Sequence, residues 1–169
     1  MSSKNMYLVT VPAGFEAEAK EEIRRLVPNA YARSMFFKGN ILIECPRSVD
    51  LTSIAKTKET TYIGKIFPID KIVKISKSRE SIAYIHDEIV QLNKLQKGER
   101  FVVRCRRRGR HEFTSQDVER ELGSMLEESC GALADLRDPQ KIVIVQIFQN
   151  QALIGIAEAS NIVEKKIKV

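Results

Sequence analysis

The densest chemistry-bearing segment is Arg104, Arg106, Arg107, Arg108 and Arg110, five arginines in seven positions, with His111 directly behind them. Arginine keeps its charge at physiological pH and presents five donors in a planar fork that matches phosphate. The apolar stretch Phe101-Val102-Val103 leads into the run and reads as a strand; Thr114-Ser115-Gln116-Asp117 follows and reads as a helix start. A strand-to-helix corner therefore holds up the charge, just ahead of a helix N-terminus whose unpaired N–H groups suit an anion. If Val103 and Cys105 face a core, strand alternation sends Arg104, Arg106 and Arg108 out together from the other face. The pattern points to a polyanion, nucleic acid above all, gripped by its phosphates. The bland alternative is a solvated loop balanced by Asp117, Glu119, Glu121, Glu127 and Glu128 on the following helix. With about four phosphates neutralised, log affinity would fall with log salt at a slope near −3.6, taking ~0.9 per contact.

The other candidate chemistries are weaker. Cys45, Cys105 and Cys130 are three scattered cysteines without a CxxC pair, and neither His86 nor His111 stands at a metal-ligand spacing from one of them. No metal site is expected, and free thiols suit a reducing compartment. Cys105 with His111 suggests a thiolate–imidazole pair, but a cysteine inside a strand is more simply a core residue. Glu16, Glu18, Glu21 and Glu22 read as a solvated helix face rather than paired catalytic carboxylates. Neither GxxxxGK[ST] nor GxGxxG occurs, so no nucleotide or other cofactor is expected. Tyr31, Phe36 and Phe37 lie on a predicted hairpin; an exposed pair could stack on bases, but alternate members are expected to fill the core of a small sheet.

Composition sets the bounds. The 169 residues allow one domain or two small ones, and 43% hydrophobic residues allow a real core. A net charge of +6 favours an anionic partner. The N-terminus lacks the apolar stretch of a signal peptide and no run reaches the length of a membrane span, so the expectation is a cytoplasmic protein with no membrane contact.

The elements that must position the arginines follow from periodicity. Met6 to Val11 reads as a strand, Phe15 to Val27 as a helix with Phe15, Ala19, Ile23 and Leu26 on one face, Tyr31 to Phe37 and Ile41 to Glu44 as a hairpin, Val49 to Lys58 as a helix, and Tyr62 to Ile69 as a strand. This is the split βαβ order of a ferredoxin-like unit. A boundary is expected near Lys71 to Ser78. Then come a helix over Ser81 to Leu95, a strand over Phe101 to Arg107, a helix over Ser115 to Cys130 with a capping box at Thr114 and Asp117 and a cap at Gly131, and strands over Ile142 to Phe148 and Ala152 to Ala157. The reading is an α/β (α+β) chain with an N-terminal ferredoxin-like βαββαβ unit over 1–71, a second α/β domain over 72–160 and a loose basic tail over 161–169.

The second unit resembles a THUMP domain. The likeness runs from Phe101-Val102-Val103-Arg104 through Arg107-Arg108-Gly109-Arg110-His111-Glu112-Phe113-Thr114-Ser115 and Asp117-Val118-Glu119-Arg120-Glu121-Leu122-Gly123 to Asp135-Leu136-Arg137-Asp138-Pro139 and the strand Ile142 to Phe148. It covers 72–158, and a ferredoxin-like unit is the usual N-terminal companion. The resemblance implies binding of the acceptor stem and 3′ end of tRNA. It places Arg104, Arg106, Arg107, Arg108, Arg110 and His111 on the loop turned towards RNA, with Thr114 and Ser115 opening the helix there and Lys141 beginning the next strand. It assigns Asp135, Leu136 and Pro139 to turn and packing, and Gly123 to close helix packing. Many members are fused to a methyltransferase, a deaminase or a thiouridine synthetase; the expectation here is that no such domain follows residue 158. The chain is thus similar to stand-alone adapters that help a tRNA acetyltransferase form N4-acetylcytidine. The expectation is a non-catalytic tRNA-binding adapter serving that or another modification enzyme. The rivals are an RNA-modifying or RNA-cleaving enzyme in its own right and a protein-interaction module.

Overall fold

The computed structural model describes residues 4–169 and separates them into two compact units. In chain order the elements are β1 (Lys4–Thr10), α1 (Glu16–Leu26), β2 (Tyr31–Ser34), β3 (Asn40–Pro46), α2 (Leu51–Thr57), β4 (Lys65–Ile69), β5 (Lys71–Lys74), α3 (Glu80–Leu92), β6 (Arg100–Arg108), α4 (Ser115–Cys130), β7 (Leu133–Ala134), β8 (Lys141–Phe148), β9 (Gln151–Glu158) and β10 (Val163–Glu164). The α/β class with two sheets matches the sequence expectation.

The first unit takes its sheet in the order β10-β4-β1-β3-β2, every neighbour antiparallel. Its core joins Ala19 and Ile23 of α1, Leu51 and Ala55 of α2, and the sheet residues Val9, Ile41, Ile43 and Ile66. Two of the acidic residues on α1 are not simply solvated. Glu16 accepts from the Gly14 N–H (2.8 Å) and the Gly39 N–H (2.9 Å), and Glu22 accepts from the N–H groups of Thr61 (2.7 Å) and Tyr62 (2.9 Å). The clasp by Glu22 bends the chain at Thr61 and Tyr62, so the last strand starts only at Lys65, not at Tyr62 as expected. The hairpin aromatics also depart from expectation. Tyr31 is 61% exposed because the core-facing member of β2 is Ala32, and Phe36, past the end of that strand, is 93% exposed.

The second unit orders its strands β5-β9-β8-β6-β7. β8 runs parallel to β6 and antiparallel to β9. Ile82, Ile85 and Ile89 of α3 and Val118, Leu122 and Leu126 of α4 cover one face of this sheet, packing on Phe101, Val103, Val143, Val145, Ile154 and Ile156. The helix periodicities read from sequence are those that pack. Gly131 closes α4 in the left-handed region (φ 68°), as its position predicts. Gly123 has a different role from the one expected: a Cβ there would meet open space, so no close helix contact requires glycine.

The boundaries shift from the expected 1–71, 72–160 and 161–169. The stretch expected to link the units contains β5, whose Ile72 and Val73 pair with Leu153 and Ala152. Four residues, a lysine at either end, carry too little alternation to declare a strand. The basic tail is anchored in part. Ser160–Val169 group with the first unit, Val163 pairs with Ile66, and Lys165 Nζ donates to the carbonyls of Ala55 (2.5 Å) and Lys58 (2.6 Å) at the end of α2. Val163 is buried in the first core. We predict that Val163→Ala costs that unit roughly 2 kcal/mol, two methyl groups plus a residual cavity. An unchanged urea midpoint would contradict the packing of this segment.

Candidate nucleic-acid interface

The parallel ladder between β6 and β8 fixes where the arginines lie. Its register runs from Phe101 opposite Lys141 to Arg108 opposite Phe148. Phe101, Val103 and Cys105 face the helices, so Arg104, Arg106 and Arg108 fall on the other face, as alternation requires. Arg104 and Arg106 are exposed. Arg108 is half-buried: its guanidinium lies 4.2 Å from the Phe148 ring centroid and donates to Gln146 Oε1 at 3.0 Å. Burial, and then the neighbouring Arg106, push its pKa down to about 10, so the charge survives at neutral pH. The ring supports the cation through its π face.

Arg107 points the other way and builds the loop. Its Nη1 donates to the Gly109 carbonyl (2.8 Å) and meets His111 Nδ1 at 2.9 Å. A guanidinium only donates, so Nδ1 must accept and Nε2–H donates to the Gln149 carbonyl at 2.5 Å. Gln149, itself at φ 49°, also clasps the loop from the β8–β9 turn. Its side chain accepts from the Arg110 N–H and donates to the Arg110 carbonyl, both at 3.2 Å, while its own N–H donates to the Arg108 carbonyl at 2.8 Å. Gly109 makes the approach possible. It sits at φ 114°, and a Cβ there would lie 2.6 Å from Gln149 Oε1 and 3.0 Å from Gln149 Cα.

The helix behind the loop is fixed by a complete capping box. Thr114 Oγ1 accepts from the Asp117 N–H (3.0 Å), and Asp117 Oδ2 accepts from the Thr114 N–H (2.9 Å). That backbone bond, with Arg79 and the Thr114 hydroxyl, holds Asp117 down at about pKa 2. Asp117, Glu119 and Glu121 of α4 have work elsewhere. Asp117 bonds Arg79 and Arg120, Glu121 bonds Arg79, and Glu119 accepts the Cys105 N–H at 3.1 Å. Arg104, Arg106, Arg107 and Arg110 form no ion pair with a carboxylate among the described residues.

Register brings in two cations that the sequence reading left out. Phe148 lies opposite Gln151, and Gln151 opposite Lys74, so β5 finishes at the same end of the sheet as the arginine run, with β9 and β8 between them. The Glu112 N–H donates to the Lys77 carbonyl at 2.8 Å, which places Lys77 beside the loop. Both lysines are exposed. They were hidden because their segment read as a linker. Gln146, Phe148 and Gln149 were hidden because sequence gives no neighbour relation between β6 and β8; alternation plus that pairing would have found the first two.

Lys141 is not brought to the cluster. It stands at the start of β8, seven residues and about 23 Å from Phe148, and its ammonium donates to Glu99 Oε1 at 3.0 Å. Other cations away from the arginine end are paired too: Lys71 with Glu88, Lys94 with Asp70, and Arg100 with Asp135 (3.9 Å) and Asp138 (3.5 Å). Thr114 does its observed work as the helix cap, and Ser115, the first residue of α4, sits by the Cys105 thiol. Burial pushes that thiol up to about 12, which keeps it protonated, and no hydrogen bond joins Cys105 to His111 among the described residues.

Residues 77–157 match the family model of the THUMP domain. The second unit carries a THUMP domain. Uncharacterized protein MJ0421 of Methanocaldococcus jannaschii is 24% identical over 157 residues, covering 89% of this chain and 40% of that protein. A tRNA sulfurtransferase of Pseudomonas putida is 47% identical over 51 residues, 30% of this chain and 10% of the enzyme. The chain therefore spans less than half the length of these relatives. A solved 4-thiouridine synthetase–RNA complex shares the fold with a TM-score of 0.58 at 18% identity, covering 95% of this chain and 42% of that one. The cationic loop and both of its supports, Gln149 and the capped α4, lie inside the THUMP segment.

Two outcomes follow for this loop. Gly109→Ala should drive Gln149 off the loop and cost roughly 1–3 kcal/mol, the usual penalty for a side chain forced into such a backbone; a variant as stable as the parent would show the clasp to be slack. Asp117 has a folded pKa below its unfolded one, so its contribution is present above about pH 4 and is lost as pH falls towards about 2. Asp117→Asn should flatten that part of the acid-unfolding profile, and an unchanged profile would remove the capping box from the account.

Proposed function

We propose that the chain binds tRNA through the THUMP domain and presents it to a modification enzyme without performing chemistry itself. The observation that carries the reading is the exposed cationic edge of Arg104, Arg106 and Arg110, with Arg108 behind them and Lys74 and Lys77 alongside. Lys71, Lys94, Arg100 and Lys141 elsewhere in this unit are matched by carboxylates, whereas this edge offers its charge outward. A-form RNA hides its bases in a deep, narrow groove, so a row of phosphate-seeking groups on a rigid strand suits recognition of its backbone and shape. The tRNA sulfurtransferase and the RNA complex among the relatives support transfer RNA as the ligand. Its acceptor stem and 3′ end are the region we assign, from the resemblance to the wider family.

The adapter role draws support from the fate of the reactive groups. Cys105 is a protonated core thiol, and His111 spends both ring nitrogens on the loop. The partner we assign is a base-modifying enzyme, an acetyltransferase forming N4-acetylcytidine being the form suggested by resemblance to stand-alone members.

The test is tRNA binding by gel shift across a salt series. Arg104→Ala with Arg106→Ala removes two exposed charges and spares the packed Arg108. The pair should weaken binding at low salt and reduce the salt slope by about 1.8, at ~0.9 per lost contact. Parent-like affinity and slope with an intact fold would overturn the reading. Nucleoside mass spectrometry on tRNA incubated with the purified chain alone should show no new modification; turnover lost in Cys105→Ala would replace the adapter by an enzyme.

A further inference from the structure

We propose that the β2–β3 hairpin tip of the first unit is a stacking site for unpaired nucleotides of an RNA. This rests on the RNA-binding reading above but concerns a surface outside the THUMP segment. Phe36 is 93% exposed, well beyond Leu136 at 74% and Tyr31 at 61%. A single exposed apolar residue needs no explanation. Here the ring belongs to a set: Phe37 meets it edge to face, with centroids 5.3 Å apart and planes at 82°, and Tyr31 lies exposed further down the same hairpin.

The ring is not exposed because its turn is loosely tied. Gly39 at φ 84° donates its N–H to Glu16 Oε2 (2.9 Å), and its carbonyl accepts from Val11 (2.9 Å). The Met35 N–H donates to the Asn40 carbonyl (3.0 Å), and the buried Asn40 side chain donates to the carbonyls of Lys38 (3.1 Å) and Phe37 (3.4 Å). Two conserving forces, apolar burial and turn geometry, are thus decoupled: the backbone is fixed while the aromatic face is left to solvent. Fixed aromatics lose little entropy on stacking, which is what a base platform requires.

Charge selects the occupant. Arg33 is exposed on the same strand as Tyr31, and Lys38 is exposed at the turn beside Phe36. Aromatic and cationic side chains therefore interleave as Tyr31, Arg33, Phe36, Lys38, the composition of a surface that stacks bases and holds the phosphates between them. Glu16, the nearby carboxylate on α1, is spent on two backbone N–H groups. A hairpin tip offers far less area than the ~800 Å² per partner of a stable protein interface, so a folded protein is the poorer fit. A duplex presents no free base faces, which makes unpaired nucleotides the class of ligand.

The chain has no tryptophan, so Phe36→Trp installs a single tryptophan reporter at an exposed site whose ring contact is with Phe37, outside the core. Titration with an unstructured oligonucleotide should quench it, and a blunt RNA duplex of equal length should not. Phe36→Ala should weaken binding of the unpaired oligonucleotide about tenfold, the fold-change of a middling base–aromatic stack, while Arg104→Ala with Arg106→Ala leaves the quench in place. Equal quenching by duplex, or affinity unchanged in Phe36→Ala, overturns the stacking site even if tRNA binding by the THUMP edge stands. Loss of tRNA binding only in the arginine variant would uphold the THUMP reading alone. A blue shift on anionic phospholipid vesicles, without quenching by the oligonucleotide, would reassign the tip to membranes and overturn the proposal.

Discussion

The parallel pairing of β6 with β8 is the constraint on which the rest of the second unit depends. It does three things through one register. It buries Phe101, Val103 and Cys105 against α3 and α4, it turns the even-numbered arginines to the opposite face, and it sets Gln146 and Phe148 beside the end of the run. A slip by one residue would send every arginine on the strand to the other face. The hydrophobic half of β6 thus specifies the position of its charged half.

Like charges packed along one strand oppose folding, and the structure answers with supports rather than counter-ions. Arg108 leans on an aromatic face, Arg107 is absorbed into loop hydrogen bonds with Gly109 and His111, and Gln149 ties the turn from the neighbouring hairpin. Behind them Asp117, Glu119 and Glu121 of α4 are occupied with the helix's own cap, with Arg79 and Arg120, and with the open edge of β6. The result is a unit with its cations partitioned. Away from the arginine end Lys71, Arg100 and Lys141 are neutralised. At the arginine end the charge stays available, at a cost in self-repulsion that a bound polyanion would relieve.

Much of this was legible in the chain. Helical periodicity gave α3 and α4 their core faces, Thr114 and Asp117 gave the capping box, and Gly131 the terminus, because these signals are local. The arginine face was legible for the same reason: alternation about Val103 and Cys105 is a property of one strand. What stayed hidden depended on pairs distant in sequence. Lys74 and Lys77 join the cationic edge only through β5 pairing with β9, and Lys141 leaves it only because parallel register puts it at the far end of β8. The exposed Phe36 was also illegible, since alternation predicts a buried partner for a strand residue and says nothing of a residue carried past the strand's end into a tied turn.

The most direct measurement is an arginine footprint. Phenylglyoxal modification of the intact chain, read by mass spectrometry with and without tRNA, compares the exposed Arg104, Arg106 and Arg110 with Arg100 and Arg120, which lie on the same unit in ion pairs. The account predicts protection of the first three and unchanged reactivity of the other two. Protection of Arg100 and Arg120 with Arg104, Arg106 and Arg110 left fully reactive would contradict it.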